Sequence, residues 1–176
     1  MENNLFLIGF MGAGKTSFGK KLARQLKWNF LDADAEIEKQ ENRSIPELFK
    51  VLGEAGFRGI ETDWLSHLDC TNTVISLGGG APCFNDNIDI IEKKGNSIYL
   101  ELPPKILVDR LLNSKSERPL IEGCKGDEIG LLAFVENLLS QREKFYQQAD
   151  IIISGMSMSA ERMKALISEI ESLKRR

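Results

Sequence analysis

The sequence predicts an α/β fold in which five parallel strands form one sheet with helices packed on both faces. Short apolar runs alternate with amphipathic segments along the whole chain, and this alternation is typical of a parallel sheet. A glycine-rich bend joins the first apolar run directly to the first amphipathic segment, which indicates a strand, a loop and a helix in succession. The 176 residues, 42% hydrophobic and 28% charged, suit one domain over positions 1–176.

In the first half of the chain, apolar runs predict three strands: one that starts at Leu5, residues 29–31 and residues 74–77. Apolar residues three or four apart predict the intervening helices: Lys15–Leu26, one through Ile37, one from Ser44 to Gly53 and one from Glu54. Ser44 and Glu47 have the spacing of a capping box at the start of the third helix. The apolar residues of that helix are expected to face inward, namely Leu48, Phe49 and Leu52.

The second half of the chain continues the same alternation. Two further apolar runs, residues 97–100 and 150–154, predict the last strands. Helices are expected in four places: from a cap at Asn85 to Lys94, from Pro103 to Leu112, from Glu128 to about Gln148, and after a cap at Ser159. The stretch of about 113–127 has mixed charges, a proline, two glycines and little periodicity, so we expect a mobile lid there.

Residues 9–17 carry the most specific functional motif. Gly9 is followed after four residues by Gly14, Lys15 and Thr16, which is the spacing of a P-loop. Backbone N–H groups in such a loop surround a polyphosphate, and the following helix adds its positive N-terminus. Lys15 would reach the terminal phosphates and the Thr16 hydroxyl would bind Mg²⁺. The alternative is a glycine turn with an accidental lysine, but the strand and helix around the loop favour nucleotide binding.

Three later features each allow a functional and a structural interpretation. Asp32 and Asp34 follow a strand, at the edge where parallel sheets place their ligands. They would coordinate Mg²⁺ through water and bind or deprotonate a hydroxyl, or they would only cap a helix and stabilise its first turn. Arg58 and Glu61 lie on the same face of a helix. They form either a surface ion pair or a pair in which Glu61 positions Arg58 to bind a substrate carboxylate. Glycines 78–80 either form a tight turn after a strand or let a ligand contact backbone N–H groups directly. We favour the second interpretation.

Charge and composition argue against several other classes of protein. The net charge of -3 gives no electrostatic footprint for nucleic acid, so a small-molecule partner is expected. The N-terminus lacks a basic segment and glycines interrupt its apolar run, so we expect neither a signal peptide nor a membrane span. We expect a cytoplasmic protein, and a monomer. Three cysteines without a CxxC pattern predict plain thiols: Cys70, Cys83 and Cys124.

Taken in this order, the motifs resemble those of the shikimate kinases from one end of the chain to the other. The similar segments are residues 9–16, Asp32-Ala33-Asp34 followed by Ile37-Glu38, residues 57–61, glycines 78–80, Arg118-Pro119-Leu120, and Arg142 before Tyr146 and Ala149. The resemblance implies a P-loop fold of the nucleoside-monophosphate-kinase type with a mobile lid. It also implies transfer of the ATP γ-phosphate to the 3-hydroxyl of shikimate, with Mg²⁺ as cofactor and ATP as co-substrate.

The resemblance further implies roles for individual residues. ATP would be bound by the P-loop and two arginines: Gly12, Ala13, Gly14, Lys15, Thr16, Ser17, Arg110 and Arg118. Shikimate would be bound by Asp34 and Arg58, in a substrate-binding region of about 32–61, and by three later residues: Gly79, Gly80 and Arg142. The catalytic residues would be Lys15, Arg118 and, as proton acceptor, Asp34. Thr16 would bind Mg²⁺ directly and Asp32 through water, while Arg110 would stack on the adenine.

Two other functions compete with this assignment. A gluconate kinase or nucleoside monophosphate kinase would share the P-loop and lid, but Arg58, the triple glycine and Arg142 suit a compact carboxylic acid better than a nucleobase. A nucleotide-switch GTPase would carry an Asn-Lys-x-Asp motif, whose nearest counterpart, residues 124–127, lacks the asparagine. One region departs from the family, since residues 153–158 lack the usual threonine and later proline of the adenine loop.

Overall fold

The strand that precedes the glycine-rich loop lies at the centre of the sheet. The computed structural model describes residues 3–114, 119–124, 127–155 and 158–173. The strands in these ranges are β1 (Asn4–Ile8), β2 (Asn29–Asp32), β3 (Thr73–Ser76), β4 (Asn96–Glu101) and β5 (Ile151–Ser154). Their order is β2-β3-β1-β4-β5, and every neighbouring pair is parallel. The predicted five-stranded parallel sheet is therefore confirmed.

Helices connect the strands. In the described ranges they are α1 (Lys15–Leu26), α2 (Ala33–Glu41), α3 (Ile45–Ser66), α4 (Asn87–Lys94), α5 (Pro104–Leu112), α6 (Glu128–Tyr146) and α7 (Ala160–Leu173). Within α3, Gly53 has φ 68° and ψ 177°, so two helical segments meet there as predicted. The predicted capping box is also present, because the Ser44 hydroxyl accepts from the Glu47 N–H and the Glu47 carboxylate accepts from the Ser44 N–H.

Two groups of buried apolar residues hold these elements together. The side chains of β1 from Leu5 to Ile8 are at most 1% exposed, as expected for a parallel strand with both faces covered. A separate buried cluster joins α2 to α3: Ile37, Leu48 and Phe57. This cluster fixes the connection between β2 and β3, which carries several of the candidate site residues.

The predicted helix cap at Asn85 is wrong. The helix α4 begins at Asn87, and both Asn85 and Asp86 have positive φ values, of 51° and 56°, so neither has the extended backbone of a usual capping residue. Asn85 instead contacts α3, where its amide donates to the Thr62 hydroxyl at 3.0 Å and to the Arg58 carbonyl at 3.4 Å. The loop before α4 is thereby attached to the helix that carries Arg58.

The inward orientation predicted for Leu52 is also wrong. Leu52 is 44% exposed, whereas Leu48, one turn earlier, is fully buried. The regular helix stops at Gly53, so Leu52 lies against Gly56 across the break. Other strand and helix ends differ from the predicted ones by one or two residues, which is the usual scatter of such boundaries.

The structure confirms the prediction that the cysteines are plain thiols. The three cysteines, all within the described ranges, are free thiols: Cys70, Cys83 and Cys124. Burial raises the pKa of the Cys83 thiol to about 11, so this group stays protonated at neutral pH. None of the described helices combines the length and the apolar character that crossing a bilayer would require.

Candidate active site

The loop between β1 and α1 has the backbone of a phosphate cradle. Gly9 follows β1 with φ 135°, and a Cβ here would lie 2.8 Å from the Leu100 carbonyl oxygen, so a side chain cannot be accommodated. Gly14 directly precedes α1 with φ 93°. The first N–H groups of α1 have no partner inside the helix and carry its positive partial charge. The loop is therefore suited to bind an anion, as the P-loop motif predicts.

The side chains predicted to serve the phosphates lie around a cavity of about 440 Å³, which we call the phosphate cavity. Lys15 is 8% exposed, and its ammonium group donates to the Gly9 and Phe10 carbonyls at 2.8 and 3.0 Å. The Thr16 hydroxyl donates to the Asp32 carboxylate at 2.6 Å, which brings the predicted direct and water-mediated Mg²⁺ residues together. Further predicted residues in the lining are Gly12, Gly14, Ser17 and Arg110.

A second cavity of about 270 Å³, which we call the acid cavity, adjoins the first. Met11, Asp34, Gly78 and Gly79 line both cavities, so molecules bound in the two would face each other across this shared wall. The strand order explains the juxtaposition, because β1, β3 and β2 are neighbours that all end at this edge. All residues predicted to bind the substrate line the acid cavity: Asp34, Arg58, Gly79, Gly80 and Arg142.

Arg58 is a buried arginine held by two carboxylates. Its side chain is only 5% exposed. Nη1 donates to Glu61, while Nη2 and Nε donate to Glu54 at 2.9 and 3.3 Å. The guanidinium carbon lies 4.7 to 5.7 Å from the centres of three aromatic rings, Phe84, Phe57 and Phe49, a favourable environment for a cation. The pair of Arg58 and Glu61 is therefore no surface ion pair, and the interpretation as a carboxylate-binding arginine is favoured.

Arg142 enters the same cavity from α6 and has an unmet hydrogen-bonding requirement. It is 4% exposed, and its guanidinium carbon lies 5.8 Å from the centre of the Phe10 ring. Its Nη1 atom is buried and has no hydrogen-bond partner among the described residues. Leaving a buried donor unsatisfied costs about 1–3 kcal/mol, and more for a charged group. An anionic ligand in the acid cavity would remove this cost.

Glycines 78–80 let the backbone after β3 approach the neighbouring groups closely. A Cβ on Gly80 would lie 2.5 Å from Nη2 of Arg58, and one on Gly79 would lie 2.9 Å from the Met11 nitrogen. The phenol of the buried Tyr146 donates to the Gly79 carbonyl and so fixes the turn from the side of α6. The glycines are thus required by the surrounding site and not only by the exit from the strand.

Burial changes the acidity of two carboxyl groups in the acid cavity. Burial, followed by the neighbouring charge of Asp32, raises the pKa of Asp34 above its usual value, while Lys15 opposes the change. Burial also raises the pKa of Glu61 to about 7, against the opposing effect of Arg58. A buried aspartate with a raised pKa is a better proton acceptor than an exposed one.

Comparison with known proteins agrees with this geometry. The sequence model of the family described as Shikimate kinase matches residues 11–171. The chain belongs to the shikimate kinase family.

Individual shikimate kinases support this membership. One from Bacteroides fragilis is 44% identical over 149 residues, which cover 84% of this chain and 82% of the relative. The crystal structure of the shikimate kinase from Bacteroides thetaiotaomicron superposes with a TM-score of 0.86 at 35% identity and covers 100% of both chains. A shikimate kinase from Acinetobacter baumannii in complex with shikimate gives a TM-score of 0.86 at 32% identity, over 100% of this chain and 97% of that one. The predicted kinase activity, with ATP as co-substrate, is confirmed at the level of the family.

Arg110, which the shikimate kinase pattern assigns to the adenine, is engaged with two loops. Its Nη1 donates to the Ala13 carbonyl at 3.0 Å and its Nη2 donates to the Gly155 carbonyl at 3.3 Å. These bonds connect the P-loop to the segment after β5. A cavity of about 400 Å³ lies between them, and its lining includes Ala13, Phe18, Arg110 and Met158. It continues from the P-loop and has room for a nucleobase.

The predicted lid is described only in part. Arg118, the lid arginine of the shikimate kinase pattern, lies outside the described residues. The described part forms a 3₁₀ turn at Pro119–Cys124. Pro119 and Leu120 line the acid cavity, so this part of the predicted lid already borders the site.

Sequence reasoning missed the contacts of two residues that shape the site. Glu54 precedes Arg58 by four positions, and this spacing on a helix was a usable signal for an ion pair. Tyr146 was noted only as part of the shikimate kinase pattern. Its bond to Gly79 joins residues 67 positions apart, so no local signal could have revealed it.

Proposed function

We propose that the protein transfers the γ-phosphate of ATP to the 3-hydroxyl of shikimate. The observation that carries the proposal is the shared wall between the phosphate cavity and the acid cavity, formed by Met11, Asp34, Gly78 and Gly79. A nucleotide tail on one side and a small hydroxylated acid on the other would meet at this wall. Alignment of donor and acceptor supplies much of the rate enhancement in phosphoryl transfer.

The two buried arginines define the acid-binding end. Arg58 and Arg142 both line the acid cavity and both are 4% exposed. A planar guanidinium matches a carboxylate through paired N–H···O bonds. The buried Nη1 of Arg142, to which the described part of the chain offers no acceptor, supports the same assignment. Shikimate would therefore bind with its carboxylate between Arg58 and Arg142.

Asp34 and the glycine turn would hold the hydroxyl groups of shikimate. Asp34 lies at the shared wall, where the reacting hydroxyl must be. Its raised pKa suits a group that first accepts a hydrogen bond from this hydroxyl and then accepts its proton. The backbone N–H groups of Gly79 and Gly80 would bind the remaining hydroxyls. Asp34 is accordingly our candidate for the proton acceptor.

The phosphate cavity would bind and neutralise the triphosphate. Lys15 would exchange its present carbonyl partners for the terminal phosphates, and the P-loop N–H groups would bind the β-phosphate. Mg²⁺ fits the oxygens of Thr16 and Asp32, since this ion prefers a few protein oxygens together with phosphate and water. When bound, Mg²⁺ neutralises charge on the transferred group. Thr16 would contact it directly and Asp32 through a water molecule.

Two further arginines complete the proposed nucleotide site. Arg110 would pack against the adenine while keeping the P-loop attached to the segment after β5. Arg118 would approach the transferred phosphate from the lid and stabilise its developing charge. Closure of residues of about 113–127 over the site would exclude water, which otherwise competes with the hydroxyl for the phosphate.

A coupled assay of ADP release tests the proposed function. The purified protein would be offered ATP and Mg²⁺ with shikimate, gluconate or a nucleoside monophosphate, each in a separate reaction. We expect turnover with shikimate and a kcat/KM at least 100-fold lower with the other acceptors, on the order of what buried polar groups left unpaired cost. Turnover with gluconate or a nucleotide in preference to shikimate would reject the proposal.

A further inference from the structure

We propose that Glu54 competes with the substrate carboxylate for Arg58 and thereby sets the affinity of the acid cavity for anions. This inference rests on the proposed function and deepens it, because it names a residue that tunes the same site. Glu54 is not one of the residues that the family pattern placed there. It approaches Arg58 from the solvent side, since its own side chain is 42% exposed while that of Arg58 is 5% exposed.

The contacts of Arg58 leave no guanidinium nitrogen without a carboxylate. Nη1 donates to Glu61, and Nη2 and Nε both donate to a single oxygen of Glu54, Oε1, at 2.9 and 3.3 Å. An arginine binds a carboxylate best through two parallel N–H···O bonds along one edge. A substrate carboxylate that takes the edge of Nη2 and Nε must displace Glu54, and one that takes the second N–H of each Nη meets a cation whose charge two carboxylates already offset.

The balance of charges around the acid cavity also opposes the binding of an anion. Arg58 and Arg142 supply two positive charges, whereas the lining contains three carboxyl groups, Asp34, Glu38 and Glu61. Glu54 adds a fourth carboxyl group directly on Arg58. Each of these groups repels an incoming anion when it is ionised. Loss of the Glu54 charge should therefore strengthen the binding of an acid.

Of the two partners of Arg58, only Glu54 can leave at low cost. The side chain of Glu61 is 4% exposed and that of Glu54 is 42% exposed. A carboxylate that moves from an ion pair into water regains its hydration, whereas a buried one would remain without a partner. Glu54 is thus the carboxylate that yields when a substrate carboxylate arrives.

Glu54 lies next to a break in α3 with open space around it. Gly53 has φ 68° and ψ 177° and separates the two segments of α3. A Cβ on Gly53 would meet nothing within 4 Å in the described part of the chain. Glu54 immediately follows this break, at the first position of the second segment. Its backbone therefore lies beside the break and not in the middle of a regular helix.

Replacement of Glu54 by Gln tests the proposed competition. Steady-state kinetics at saturating ATP should give a shikimate KM about threefold to tenfold lower for Glu54→Gln, with a much smaller change in kcat. Asp63→Asn is the matched control, since Asp63 is an acid on the same helix with a side chain 68% exposed and a contact to His67. The control should leave the shikimate KM within about a factor of 1.5.

A neutral ligand separates competition from a positioning role. Calorimetry should show that Glu54→Gln tightens the binding of shikimate but not that of its methyl ester, which has no carboxylate charge. If Glu54 only positions Arg58, the shikimate KM will rise or stay the same, and the competition is refuted. Failure of the wild-type protein to phosphorylate shikimate would instead refute the proposed function. Thermal unfolding of each variant establishes that the comparison is made on folded protein.

Discussion

Replacement of Arg142 by methionine removes one of the two buried cations of the acid cavity. The substitution keeps a long apolar side chain next to Phe10 but deletes the guanidinium that would bind the substrate carboxylate. A hydrogen bond to a charged group contributes about 1.5–3 kcal/mol, and Arg58 would still hold the carboxylate. We therefore expect a loss of about 1.5–3 kcal/mol in shikimate binding, which is about a 10-fold to 150-fold rise in the shikimate KM.

The same substitution should not destabilise the fold. In the unliganded protein, the buried Nη1 of Arg142 finds no acceptor in any of the described residues, so the arginine contributes a desolvation cost that methionine does not have. The melting temperature of Arg142→Met should equal or exceed that of the wild type. Increased KM together with unchanged stability would distinguish a binding role from a structural one.

Steady-state kinetics at saturating ATP provide the assay, and Arg142→Lys provides the control. Lysine keeps the positive charge but cannot form two parallel bonds to a carboxylate, so its KM should lie between those of the wild type and the methionine variant. The ATP KM should change by less than about twofold, because Arg142 does not line the phosphate cavity. A shikimate KM that stays at the wild-type value would contradict the placement of the carboxylate between Arg58 and Arg142.

Further predictions concern the phosphate cavity, the shared wall and the glycine turn of the acid cavity. Lys15→Met should lower kcat by about a factor of 1,000 or more with no loss of cooperative unfolding, and a near-normal kcat would remove Lys15 from the mechanism. Because burial favours the protonated form of Asp34, kcat/KM should decline on acidification at a higher pH than the ordinary aspartate pKa of about 3.9. Asp34→Asn should be nearly inactive at every pH, and substantial activity in this variant would exclude Asp34 as the proton acceptor. Gly80→Ala should raise the shikimate KM at least about tenfold, since the new methyl group would lie 2.5 Å from Nη2 of Arg58; Gly59→Ala, where a Cβ meets nothing within 4 Å in the described ranges, is its control.

Local pattern sufficed for the elements that depend on local interactions. The periodicity of apolar residues after the P-loop predicted α1 at Lys15–Leu26, and the capping box predicted the start of α3. The prediction failed where neighbours decide the outcome. Asn85 looks like a helix cap in the sequence, but its amide binds Thr62 and the Arg58 carbonyl, which lie more than 20 positions away in the chain. Leu52 has the right spacing to be buried, but the break at Gly53 leaves it exposed.

Among the candidate site residues, some could likewise be predicted from local sequence patterns and others could not. Asp32 and Asp34 could be predicted because the end of a parallel strand marks the ligand edge of the sheet. For Arg58, the sequence could not distinguish a surface ion pair from a buried one, since burial depends on the three aromatic rings that surround the guanidinium. Arg142 could be named only through resemblance to a family. Its place in the lining of the acid cavity results from the packing of α6, which no local pattern encodes.

The strand order assigns much of the donor side and much of the acceptor side of the site to different parts of the sequence. The P-loop and the cavity of about 400 Å³ beside Arg110 are built from β1, β4, β5 and the segments that follow them, whereas Asp34, Arg58 and Glu61 all lie in the single connection between β2 and β3. That connection is at the edge of the sheet and has its own small core around Phe57. Exchange of this one continuous peptide would therefore replace Asp34, Arg58 and Glu61 together, while Arg142 on α6 and glycines 78–80 after β3 would keep their places in the acid cavity. A change of acceptor preference by this route requires a new connection that fits those retained residues.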